Sequence, residues 1–124
     1  EGLFLLVMLF WAFIRGLNPD INGQEKFADL ALLNNILKTP YMPPPDVWFG
    51  GGSVNYYYLG HVMAAFLVHL THVPVGIAYN LMIATLFSLT FGLAFAVGRN
   101  LLSLSGWVKP SLARVGGFIG AWLI

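Results

Sequence analysis

The residues able to do chemistry are few and crowded into one stretch. All four internal acids, Asp20, Glu25, Asp29 and Asp46, fall between Arg15 and Asn55. Glu25 and Asp29 are four apart, which on a helix sets them on one face about a turn from each other, where like charges disfavour one another. Against low-dielectric surroundings such a pair holds a proton or draws a cation between its members. That is the electrostatic requirement for a general base working near neutral pH. The plainer reading has Glu25 capping a helix, Lys26 neutralising it and Asp29 facing water. Asp46 and Trp48 lie in Tyr41-Met42-Pro43-Pro44-Pro45-Asp46-Val47-Trp48-Phe49, followed by Gly50-Gly51-Gly52-Ser53. The prolines stiffen an extended backbone and the glycines let it turn sharply. The stretch either holds Asp46 and Trp48 rigidly at the mouth of a bundle or is only a stiff lead-in to the next helix. No Lys-Ser or Lys-Thr follows the glycines, so this is not a phosphate-binding P-loop.

Next come Asn55-Tyr56-Tyr57-Tyr58-Leu59-Gly60-His61. Consecutive tyrosines at a helix start read either as an aromatic belt at a membrane interface or as a stacking and hydrogen-bonding wall for a polar ligand such as a sugar or phosphate. His61 suits proton transfer or a phosphate contact, while His72 reads as a helix end. His69 and His72 share a face, but no carboxylate lies near them in sequence and HExxH is absent, so no zinc site is expected.

The elements that must position these groups follow from composition. The chain has 124 residues, 58% apolar and 9% charged, with mean hydropathy +0.76, against roughly 25% charged in an ordinary soluble domain. The net charge of +1 offers no basic field for nucleic acid, and without cysteine there are no disulfides, thiolate metal sites or cysteine nucleophiles. The expected fold is all-α, a polytopic transmembrane bundle of about four spans, over residues 2–14, 54–73, 75–98 and 110–124. The first and last read as cut, as in a piece of a larger protein. The cleanest span is 75–98, inside a run from Val47 to Gly98 that lacks Asp, Glu, Lys and Arg. Arg15 closes the first run, and no small-residue cleavage site follows, which argues against a signal peptide. Gly116 and Gly120 form a GxxxG pair suited to close helix packing.

Within the polar loop 15–55, Asn22-Gly23-Gln24-Glu25 predicts a helix start, with Asn22 as N-cap and Glu25 reaching back in a capping box. The helix runs through Lys38 and stops before Pro40. Its apolar residues leave no clean polar face, which suits a position along the membrane surface or against the spans. Two spans would separate this loop from Arg99–Arg114, placing all six Lys and Arg on one side. The positive-inside rule would then put the loop in the cytoplasm.

Tyr56-Tyr57-Tyr58-Leu59-Gly60 matches the YYYxG motif, and the chain resembles the polytopic Chlor_Arch_YYY membrane family. Asn18-Pro19-Asp20, Gly23-Gln24-Glu25-Lys26 with Asp29, and Pro44-Pro45-Asp46-Val47-Trp48 precede the tyrosines in the expected order. The resemblance covers about Arg15 to Leu81; the family pattern has Pro where this chain has Val47. More distantly, the layout is similar to the start of GT-C glycosyltransferases such as protein O-mannosyltransferases. Those have a first span, a non-cytoplasmic loop carrying a catalytic acid, surface helices and a His-Pro-Pro-type segment before the second span. Arg15, Pro19, Glu25, Pro44 and Pro45 fall in the corresponding order. Glu25 matches the second acid of the usual Asp-Glu pair, and Gln24 stands in the first acid's place, so Asp20 or Asp29 would have to substitute.

The resemblance implies a membrane glycosyltransferase that uses a polyprenyl-phosphate sugar, at the plasma or cell membrane, with the loop 15–55 outside the cytoplasm. Glu25, Asp29 and Asp20 are then the candidate catalytic acids. Arg15, Lys26, Asp46, Trp48, Tyr56, Tyr57, Tyr58 and His61 are the candidate substrate contacts, with the bilayer and further spans as partners. No cofactor is identified, and a divalent metal is compatible with this reading but not indicated. The competing class is a non-enzymatic membrane transporter or lipid-handling scaffold whose loop and histidines line a path.

Overall fold

A computed structural model describes residues 1–23, 25–55, 57–106 and 108–123. It contains helices α1 (Gly2–Leu17), α2 (Lys26–Lys38), α3 (Leu59–Thr71), α4 (Val75–Leu104) and α5 (Pro110–Trp122). Among the described residues there is no strand, only an isolated antiparallel bridge between Pro45 and Ser53. The all-α expectation holds.

Of the expected spans, one is clearly long enough to cross a membrane. At 1.5 Å per residue, the 30 residues of α4 reach about 45 Å, more than the roughly 30 Å of a bilayer core. It alone, among the described residues, is long and apolar enough to cross a membrane. The region 54–73 yields only the 13 residues of α3, about 20 Å. Composition had counted Val54 and Asn55, which lie outside the helix, and His72 ends it in a left-handed conformation (φ 56°). Helices α1 and α5 have 16 and 13 residues. A four-span bundle is therefore not established.

The chain forms two compact units. One unit, Asn18–Met82, is built on α2 and α3, with the start of α4. Leu33 and Ile36 of α2 are buried against Ala64 and Ala65 of α3, with Leu37, Tyr58, Val62, Val75 and Met82 around them. The two alanines let the helices approach, and the leucine and isoleucine fill the seam. Helix α2 ends as expected: Thr39 is extended ahead of Pro40 and its N–H donates to the Ile36 carbonyl.

The expected capping box at its other end is absent. The helix begins at Lys26, and Glu25 is its N-cap, with backbone angles already helical (φ −85°, ψ −8°) and no side-chain capping bond. A capping side chain works from an extended N-cap, and Glu25 does not supply one.

The proline-glycine stretch folds into a small hairpin. The Asp46 N–H donates to the Gly52 carbonyl (2.9 Å), and the Val54 N–H to that of Pro44 (2.9 Å). Gly51 takes φ +87° at the tip, where a side chain would be strained. Asn35 Nδ2 of α2 donates to the Pro45 carbonyl, and Pro44 is buried, so the hairpin base is fastened to the helix. At the other border, Asn80 Nδ2 donates to the Pro19 carbonyl (3.0 Å) and to that of Gly76 (3.1 Å).

The second unit comprises Glu1–Leu17 and Ile83–Ile124. Trp11 of α1 stacks on Phe87 of α4, centroids 4.2 Å apart. Phe91 meets Phe118 and Trp122 of α5 edge-on at 5.8 and 6.2 Å, an arrangement that suits the ring quadrupoles. Helices α4 and α5 approach closely at Gly98 and Gly117, where a Cβ on Gly98 would lie 3.2 Å from the Gly117 Cα. Of the Gly116–Gly120 pair, Gly116 faces the Leu102 side chain, and a Cβ on Gly120 would meet nothing within 4 Å among the described residues. Buried Ser88 donates its hydroxyl to the Ala84 carbonyl (2.7 Å), satisfying itself within α4.

Candidate functional site

In the unit Asn18–Met82, the first turns of α2 and the hairpin enclose a cavity of about 330 Å³. Glu25, Asp29 and Asp46 are among its lining residues. Trp48 supplies an indole, and Ala28, Leu32, Val47 and Val54 an apolar floor. The helical spacing does what the sequence suggested: Glu25 and Asp29 are one turn apart, and the Asp29 N–H donates to the Glu25 carbonyl (3.0 Å).

The three acids differ in what holds them. Asp46 Oδ1 accepts from its own loop, the N–H groups of Trp48 (2.8 Å) and Phe49 (3.2 Å), in a turn that fixes the hairpin tip. Trp48 stands edge-on to Phe27 of α2, centroids 6.2 Å apart, so the indole is set against the helix. Asp29 is held from two further helices. His61 Nε2 on α3 lies 3.4 Å from Oδ1, and the Tyr79 hydroxyl on α4 donates to Oδ2 at 3.5 Å. Both contacts are long, at the weak end of hydrogen-bond geometry. His61 Nδ1 is buried and has no hydrogen-bond partner among the described residues. Glu25 is exposed at the mouth of the cavity, next to half-buried Lys26.

The other predicted site residues are distributed as follows. Asp20 is exposed ahead of α2 and is not among the lining residues. Tyr57 is exposed, and Tyr58 is the N-cap of α3 and packs against the α2–α3 core, so neither lines the cavity. Tyr56 lies outside the described residues. Arg15 is in the last turn of α1, in the other unit. His69 is exposed, and His72 ends α3 as expected. Among the described residues no group of three or more His, Asp or Glu is arranged to hold a metal ion.

Tyr79 was missed by sequence reasoning. Its only signal was being half of a polar pair, Tyr79-Asn80, at the head of an otherwise apolar run, where a polar group needs a partner.

Chemically, a small cavity with several carboxylates, an indole wall and a neighbouring lysine can hold a hydroxyl-rich molecule and take a proton from it. The model of a family described as "Uncharacterized membrane protein (DUF2298)" matches residues 1–124. No curated protein and no solved structure matches the chain.

Proposed function

Because the chain belongs to that family of membrane proteins, we propose that it is part of a membrane glycosyltransferase of GT-C type that takes a sugar from a polyprenyl-phosphate donor. The observation that carries this reading is the acidic cavity walled by Trp48, with Glu25 and Asp29 one helical turn apart. In this reading Glu25, exposed at the mouth, is the base, and Asp29, held by His61 and Tyr79, is the fixed acid beside it.

The chemistry is one displacement. The carboxylate takes the proton of an acceptor hydroxyl while that oxygen bonds to the anomeric carbon. The bond from that carbon to the phosphate oxygen breaks, configuration inverts, and polyprenyl phosphate leaves. Lys26 supplies positive charge near the cavity, where it offsets charge building on the phosphate. Trp48 gives a flat apolar face for the sugar ring. The resemblance further assigns the loop 15–55 to the non-cytoplasmic face.

The test uses the intact protein in vesicles with a polyprenyl-phosphate sugar. Glu25→Gln or Asp29→Asn should lower transfer by about 10²–10⁴-fold, the usual worth of a general base, with insertion and melting retained. If both variants transfer at the wild-type rate, the carboxylates are not catalytic and the non-enzymatic scaffold reading takes over.

A further inference from the structure

We infer that α3 is not a membrane span but an interfacial helix, lying on the bilayer surface with one apolar stripe against lipid. This goes beyond the glycosyl-transfer reading and does not rest on it.

Three observations carry the inference. The first is length: α3 reaches about 20 Å, and the hydrocarbon core is about 30 Å thick. It is not extended as a helix at its end, because His72 closes it in a left-handed conformation two residues before Pro74. On the other side Val54 is tied to the Pro44 carbonyl in the hairpin. Non-helical backbone leading into it would leave polar groups unsatisfied in lipid.

The second is what α3 is packed against. Ala64 and Ala65 are buried against Leu33 and Ile36 of α2, and His61 reaches Asp29 of the same helix. Carrying α3 across the bilayer would carry α2 with it, and α2 brings Lys26, Asp29, Asn34, Asn35 and Lys38. Charged side chains at bilayer depth are costly. At the surface those groups keep their water.

The third is the face left bare. Leu59, Met63, Phe66, Leu67 and Leu70 are exposed, between 41% and 70%, and their spacing places them in a single stripe opposite His61, Ala64 and Ala65. A contiguous apolar stripe on a short helix in a membrane protein is the pattern of a helix lying at the headgroup–acyl boundary. The occupant is therefore the lipid itself.

One consequence concerns charge. With α3 on the surface, one crossing by α4 divides Arg15, Lys26 and Lys38 from Arg99, Lys109 and Arg114. All six no longer fall on one side, and the positive-inside rule ceases to oppose a non-cytoplasmic loop.

The chain has no cysteine, so single cysteines can be read directly in the intact protein made otherwise cysteine-free. Ser53→Cys, Thr71→Cys and Ser105→Cys are labelled in cells with a membrane-impermeant maleimide, before and after permeabilisation. Ser53→Cys and Thr71→Cys should react from the same side, and Ser105→Cys only from the other. Thr71→Cys reacting from the side opposite Ser53→Cys means that α3 crosses, and the inference is wrong; if Thr71→Cys does not fold, exposed His69→Cys serves in its place. A nitroxide on Phe66→Cys in vesicles should collide strongly with oxygen and weakly with a water-soluble nickel chelate. Strong collision with the chelate, or with neither probe, would show the stripe facing water or protein and overturns the lipid assignment.

Discussion

Asp29 and His61 face each other between α2 and α3, with Nε2 3.4 Å from Oδ1, and the second carboxylate oxygen is met by the Tyr79 hydroxyl at 3.5 Å. One acid on α2 is thus approached from two other helices, α3 and α4, in the unit Asn18–Met82. Both members of the pair remain partly exposed, so solvent screens it. A double-mutant cycle of Asp29→Asn and His61→Gln, followed by thermal unfolding in detergent, should give a coupling below about 1 kcal/mol. A coupling of zero would mean that the approach carries no interaction.

The α2–α3 seam should respond far more strongly. Leu33 is 1% exposed, and Leu33→Ala should cost about 2–5 kcal/mol, the usual loss for a buried leucine. Ala65→Leu, which forces volume into the same seam, should cost about 1–3 kcal/mol. Unfolding midpoints near wild type for both would show that α2 and α3 are not packed as described.

Gly117 and Gly120 offer a controlled comparison on one helix. A Cβ at Gly117 would lie 2.8 Å from the Phe95 carbonyl and 3.0 Å from the Arg99 backbone nitrogen, whereas one at Gly120 meets nothing within 4 Å among the described residues. Gly117→Ala should therefore destabilise by about 1–3 kcal/mol, and Gly120→Ala should be neutral or slightly stabilising because alanine favours helix. Equal melting temperatures for the two variants would remove the Gly98–Gly117 contact.

The hairpin tip depends on Asp46. Replacing it by alanine removes the acceptor for the Trp48 and Phe49 N–H groups and should loosen residues 46–53. Limited proteolysis should then cut within this segment several-fold faster than in the wild type. Unchanged cleavage would mean that the Pro45–Ser53 bridge and its neighbouring hydrogen bonds hold the tip unaided.

The absolute side of the loop is a separate matter. Ser53→Cys, at the exposed hairpin base, should react with an impermeant reagent in intact cells before any permeabilisation. Reaction only afterwards would place residues 15–55 in the cytoplasm.

Several boundaries were legible because a local rule sets them. Pro40 fixes the end of α2, Pro74 separates α3 from α4, and Pro110 opens α5, since proline's geometry does not wait for tertiary contacts. The Glu25–Asp29 spacing was legible for the same reason: helical repeat alone puts them one turn apart. The capping box failed because its motif is also satisfied by a chain whose Glu25 has already turned helical. The helix of the second expected span is shorter than hydropathy suggests, because hydropathy counts apolar residues without asking whether they are helical.

The sequence by itself determined that this is an all-helical, lipid-associated chain with its acids gathered in one loop, because composition and residue spacing act locally and along the chain. Only the tertiary structure decided which of those acids face one cavity, that Tyr58 supports the core while Trp48 walls the cavity, and that Asp29 meets Tyr79 fifty positions away. The physical reason is that a side chain's partner across a helix seam depends on how two helices are rotated against each other. That rotation is set by the sum of many small contacts, such as Leu33 against Ala64 and Ala65, and by no single motif.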